Sequence, residues 1–206
     1  MSTPYQDAGR RAQKQRTYDA LVAVARGRVT AGEAPTVDEA AALAGVARST
    51  AYRYFPGQRE LLAAAHPETA RTSLLPADAP ADPGLRLDAV VVEFTALIVE
   101  TEAQQRTMLR LSLEPRGPKD PPLPLRQGRA IAWIGEALEP LHGSLPPAQL
   151  HSLVLAIRSA IGIEALVWLV DIGGLSRADA VAQMRWHAQA LLETALRTPP
   201  PGRLEH

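Results

Sequence analysis

Residues 36–61 read TVDEAAALAGVARSTAYRYFPGQREL, and the fold turns on how this stretch is punctuated. Thr36 stands three residues before Glu39, the spacing of a capping box. In such a box the hydroxyl accepts from the Glu39 N–H and the carboxylate accepts from the Thr36 N–H, so a helix is predicted to start there. Val37, Ala40, Ala41 and Ala44 then share one face, and their small side chains let a second helix approach closely. Gly45 is the natural stop, because a left-handed C′ residue carries no Cβ penalty there, and Val46 is placed to plug the corner beneath the turn. A second helix follows from about Arg48 to Phe55. It is predicted to bury Ala51 and Phe55, four apart, and to turn Arg48, Ser49, Thr50, Tyr52 and Arg53 outward or sideways. Pro56-Gly57 ends it. Two short helices joined by a glycine corner make a helix-turn-helix.

Working outward, nearly every periodic stretch repeats at three and four residues, and none alternates at two between hairpin turns, so an all-α fold is predicted. Leu87, Val90, Val91, Phe94, Leu97, Ile98 and Thr101 form one apolar stripe. Asp82-Pro83 just ahead supplies an N-cap and a proline for the first turn. Leu125–Leu141 and Ser176–Leu196 read as amphipathic helices, whereas Leu150–Val170 is apolar almost all round and is expected to be buried. The last segment is long enough to cross a bilayer. Arg158 and Glu164 in its middle argue instead for the central helix of a bundle, each costing about 2.5–3.5 kcal/mol to insert. Proline-rich stretches at 76–83, 115–124 and 146–147 are predicted loops. The domain plan is therefore 10–56 for the helix-turn-helix unit and 57–198 for a larger helical unit. Residues 1–9 and 199–206 are expected to be flexible ends, and Leu204-Glu205-His206 looks like an expression-tag scar.

The 22 basic and 22 acidic residues cancel, yet they are unevenly spread. Between Arg10 and Arg28 lie Arg10, Arg11, Lys14, Arg16, Arg26 and Arg28 against the single acid Asp19, while the chain after His66 is slightly acidic. A basic end beside a helix-turn-helix suits a nucleic acid. With no cysteine there is no disulfide, thiolate metal site or thiol nucleophile, and no apolar leader precedes the charged opening, so the cytoplasm is the expected compartment. His142, His151 and His187 lack metal-ligand spacing, and no HExxH, GxSxG or glycine-rich phosphate loop occurs. Neither catalysis nor a cofactor is expected.

The run AGVARSTAYRYFPGQREL resembles the turn and recognition helix of the TetR family of regulators, whose usual form is close to AGVSxxTxYxYFxxKexL. Ala44-Gly45-Val46, Thr50, Tyr52, Tyr54, Phe55 and Leu61 match; Ala47 replaces a common capping Ser and Gln58 a common phosphate-contacting Lys. The missing hydroxyl cap costs about 1 kcal/mol, and Gln58 retains one uncharged donor. Arg48, Ser49 and Thr50, at the helical turn that enters the major groove first, are the expected base readers, since arginine donates twice to guanine and a hydroxyl serves several base edges. Tyr52 and Tyr54 match positions that contact phosphate or pack beneath the recognition helix. Thr36, Arg53 and Gln58 complete the expected DNA-binding set, which fixes register on the duplex as well as sequence.

The resemblance also implies a helical effector domain and a homodimer whose last two long helices form a four-helix bundle. Val181, Met184, Ala188, Leu191 and Ala195 alternate at three and four, a seam suited to helix packing, and Trp168 lies on the expected partner segment. The expected dimer interface is thus Trp168, Val181, Met184, Ala188 and Leu191. Phe94, Leu97, Met108, Leu111 and Trp133 supply the apolar and aromatic groups that a pocket for a small apolar effector favours, though each also reads as ordinary core. The implied function is a ligand-responsive repressor that binds palindromic operator DNA. Against it stand an enzyme on a helical scaffold and a protein that coats DNA without regard to sequence.

Overall fold

Caps and apolar stripes translate directly into helices. The structure, a computed structural model, describes residues 4–65, 71–113 and 128–202. In chain order the helices are α1 (Pro4–Thr30), α2 (Val37–Leu43), α3 (Arg48–Tyr54), α4 (Gln58–Ala65), α5 (Pro83–Glu100), α6 (Glu102–Leu113), α7 (Arg129–Ala137), α8 (Pro147–Ile161), α9 (Ile163–Val167) and α10 (Arg177–Arg197). A 3₁₀ turn, Glu139–Gly143, follows α7, and a π turn, Trp168–Ile172, follows α9. Among the described residues there is no strand, and the fold is all-α as the periodicity predicts. The proline-rich stretch 115–124 and the expected helix start at Leu125 lie outside the described residues.

The elements divide into two compact units, one holding α1 to α4 with α6 from Ala103 onward, the other holding α5 and α7 to α10. In the first, Leu21, Val22 and Ala25 of α1 meet Val37, Ala40 and Ala41 of α2, Ala51 of α3, Phe55, and Leu61 and Ala65 of α4. Alanine at five of these positions brings backbones together that bulkier side chains would hold apart. Two boundaries differ from the sequence plan. Helix α1 begins at Pro4 rather than near Arg10, and α4 belongs to the first unit although Pro56-Gly57 suggested a break before it. Leu61 and Leu62 explain the second difference. Both are fully buried, Leu61 in the cluster just described and Leu62 beside Val29, Ala63, Met108 and Leu111. A proline and a glycine end a helix; they do not end a core. The last carbonyl of α4 is also tied down, since Arg26 Nε (3.2 Å) and Gln104 Nε2 (3.1 Å) both donate to that of Ala65.

The second unit packs α5, α7, α8 and α10 together. Asp82 caps α5 by accepting from the Leu85 N–H at 2.8 Å, and Pro83 opens the first turn. Leu87, Val90, Val91, Phe94, Leu97 and Ile98 are buried along the predicted stripe, while Thr101 caps the C-terminus instead of continuing it. Arg86 spans from α5 to the open end of α7, donating to the Ala137 (3.0 Å) and Glu136 (2.8 Å) carbonyls. The Trp133 ring meets Phe94 edge-on at 6.0 Å, and its N–H donates to the Thr72 carbonyl at 3.2 Å.

The segment Leu150–Val170 departs most from its reading. It is neither one helix nor buried all round: Gly162 interrupts it in extended conformation between α8 and α9, and Leu155 and Trp168 stand exposed. Residues Pro147–Ile172 are long and apolar enough to cross a bilayer. Here, however, Leu150, Leu153, Val154, Ile157 and Ile161 are buried in a unit where α8 packs on α7 and α10. The two charges pair with each other across the break, Arg158 Nη1 to Glu164 Oε2 at 3.3 Å, with the guanidinium over the Phe94 ring. A Cβ on Gly162 would meet the ends of the Arg158 and Glu164 side chains, so the pair would have to shift to admit one.

Candidate nucleic-acid interface

The α2–α3 hairpin is built from its caps. Thr36 Oγ1 accepts from the Glu39 N–H (3.2 Å), and Glu39 Oε2 accepts from the Thr36 N–H (2.7 Å) and hydroxyl (2.9 Å), closing the capping box. The bonds from the Thr36 backbone and then its hydroxyl hold the Glu39 carboxyl below the ordinary carboxylate range; slight burial opposes them and the nearby Arg28 charge assists. Because the folded value is the lower one, the stabilisation is complete at neutral pH and is lost as pH falls through it. The stability gap between the native chain and Glu39→Ala is therefore expected to be constant above about pH 6 and to shrink toward about pH 3, read by denaturant unfolding at each pH. A gap unchanged in acid would remove the carboxylate from the cap.

At the other end of α2, the Val46 N–H donates to the Ala41 carbonyl (2.9 Å) and the Gly45 N–H to the Ala42 carbonyl (3.3 Å), the two bonds of a Schellman motif. Gly45 sits at φ +65°, the left-handed region that any side chain would strain. Val46 tucks against the core of the first unit as the corner plug. Helix α3 then starts at Ala47 without a side-chain cap, as the missing hydroxyl predicts, and Ala51 and Phe55 anchor it, the Phe55 ring lying 5.2 Å from Tyr18.

With α3 pinned on one face, the other is presented to solvent. Arg48, Ser49, Tyr52 and Arg53 are exposed there, Thr50 is half-buried, and Thr36 is exposed at the start of α2. Arg48 Nε lies 2.8 Å from Asp38 Oδ1 of α2, and its guanidinium carbon is 5.7 Å from the centre of the Tyr52 ring. Tyr54 turns inward, its ring 6.5 Å from Tyr18. Gln58 Nε2 donates to the Ala34 carbonyl at 2.6 Å, bracing the α1–α2 loop, and its second amide hydrogen is a further donor. Asp38 escaped the sequence reading because its partner is reached across the turn; an acid ten residues before an arginine is no signal by itself.

The residues chosen for the dimer seam separate. Met184 and Ala188 are fully buried inside their own unit and offer nothing to a partner. Val181 lines a groove beside Val92, Thr95, Ala96 and Val99. Trp168 and Leu191 line a different one, of about 750 Å³, together with Ala156, Ala160, Ala165, Trp186 and Ala190. Its two tryptophans are 59% and 64% exposed. The effector set also divides: Phe94, Leu97 and Trp133 are buried in the second unit, Met108 and Leu111 in the core of the first.

Among the described residues no group of three or more histidines and carboxylates is placed to hold a metal ion. No family model and no curated protein matches the chain. Solved structures do match its fold. One is the crystal structure of a TetR transcriptional regulator from Rhodococcus sp. RHA1, with a TM-score of 0.60 over 86% of this chain and 97% of that one, at 20% identity. The fold is TetR-like.

Proposed function

We propose that the chain is a sequence-specific DNA-binding transcriptional regulator of TetR type, a cytoplasmic repressor that reads palindromic operator DNA as a homodimer and releases it on binding a small apolar effector. The observation that carries this reading is the exposed face of α3. A short helix, locked from beneath by Ala51 and Phe55 and bounded by a glycine corner, presents Arg48, Ser49, Tyr52 and Arg53 outward with Thr50 beside them. A major groove admits one such helix, and these side chains suit its base edges and flanking phosphates. The likeness to a solved regulator of this fold supports the reading.

One short helix reads few bases, so two copies are needed for a useful operator. The groove holding Trp168, Trp186 and Leu191 supports self-association through α8, α9 and α10. Two reading helices must stand about 34–36 Å apart to enter successive major grooves, which makes their spacing the natural switch. An effector beside Phe94, Leu97 and Trp133 acts on that spacing, and linkage makes operator DNA lower effector affinity by the same factor.

Selection of bound fragments from a pool of random DNA duplexes tests the reading. The expected product is one sequence in two inverted copies, their centres about 10 base pairs or a multiple apart. Recovery of duplexes with no shared sequence would overturn it.

A further inference from the structure

Asp38 is an acid on a surface that must approach a polyanion, where a carboxylate costs affinity unless it has a task. It lies in the first turn of α2, 40% exposed at the side chain, and its partner Arg48 begins α3 at 73%. Oδ1 is screened from solvent and has no hydrogen bond of good angle, although Arg48 Nε is 2.8 Å away. The carboxylate therefore holds the guanidinium by charge. Below the guanidinium lies the Tyr52 ring, 5.7 Å from its centre to Cζ. A long, exposed arginine is thus constrained from two sides at once. Asp38 meets the guanidinium at Nε, and its two terminal amino groups match O6 and N7 of guanine.

As a surface ion pair this contact adds little to folding, because solvent screens it and two side chains lose freedom in making it. We propose that Asp38 is a positioning residue for base recognition. It fixes the Arg48 guanidinium for bidentate donation to one guanine in each half-site, and its charge repels phosphate so that unrelated DNA is held less tightly. The inference rests on the DNA-reading function proposed above. Pre-ordering the fork removes a conformational cost that would otherwise fall on the recognition step, and the repulsion acts on every sequence alike, so together they raise discrimination more than affinity.

The test uses the full-length chain and two kinds of probe: duplexes recovered by the native protein from a random pool, remade with each base pair of the half-site changed in turn, and a mixed-sequence duplex outside that set. Arg48→Ala is expected to flatten preference at one guanine-containing base pair. Asp38→Asn should flatten the same pair by about tenfold, bind the mixed-sequence duplex several-fold tighter, and steepen the fall of that binding with salt. Asp38→Glu, which keeps the charge, should restore most of the preference, and Asp38→Asn added to Arg48→Ala should change that base pair no further. Unfolding curves of each variant check that the head is intact, and a merely structural Asp38 would move every duplex together. Three results would overturn the inference while leaving DNA reading in place: a uniform change across all duplexes, no change at all, or loss of preference at a base pair other than the one Arg48 sets. If the native chain recovers no preferred sequence, the DNA-reading function fails and this inference with it.

Discussion

Phe55→Ala is expected to unfold the reading head and abolish duplex binding while α5 and α7 to α10 keep their structure. The ring is 3% exposed, packs on Tyr18 at 5.2 Å, and sits where α3 ends, so its loss opens a cavity at the junction of α1, α2, α3 and α4. Such truncations cost about 3–5 kcal/mol. Whole domains are stable by only about 5–15 kcal/mol, and a small unit with alanine-rich contacts lies at the lower end. Amide hydrogen exchange separates the outcomes: protection should disappear from α2 and α3 and persist in α8 and α10. Retained protection in α3, or a simultaneous loss in both units, would contradict the placement of Phe55 as the keystone of the first.

The second large effect is on assembly. Replacing Trp168 and Trp186 together by Glu is expected to turn a dimer of twice 22.1 kDa into a 22.1 kDa monomer, as read by light scattering across a concentration series. Both indoles are more than half exposed on one groove. Large aromatic side chains at the centre of an interface each contribute about 2 kcal/mol or more, so the pair should weaken association by roughly a thousandfold before the cost of two buried carboxylates is added. Unfolding of the monomer should still be cooperative. A native chain that stays at 22.1 kDa over the whole series would remove the homodimer from the proposed function.

These two sites were not equally legible in the sequence. Local rules read the head well, because a capping box, a glycine corner and a residue pair four apart are all settled within one or two turns; Thr36, Glu39, Gly45, Ala51 and Phe55 stand where those rules place them. Asp82 and Ser176 cap α5 and α10 for the same reason. What spacing could not decide is which of two apolar faces looks outward. Helix α10 carries one stripe through Ala180, Met184, Ala188, Leu192 and Ala195 that is buried in its own unit, and another through Trp186, Ala190 and Leu191 that is not. The expected seam drew on both, Met184 and Ala188 from the buried stripe and Leu191 from the open one. Contacts between distant segments were equally silent: the Gln58 amide donates to a carbonyl 24 residues earlier, and Arg158 pairs with Glu164 across a break that an unbroken apolar run concealed. The placement of α4 was silent on the same ground, since burial of Leu61 and Leu62 depends on α1 and α6, not on the proline before them.

The proposed function rests on discrimination between DNA sequences by α3, and competition binding at rising salt measures it most directly. A duplex selected by the native chain and a shuffled duplex of the same composition are titrated side by side from about 50 to 200 mM salt. Affinity for both should fall as counterions lose their advantage, and the selected duplex should remain about a thousandfold or more tighter throughout. Convergence of the two curves, with both affinities collapsing together, would show a protein that coats DNA by charge alone and would contradict the function proposed for the α2–α3 head.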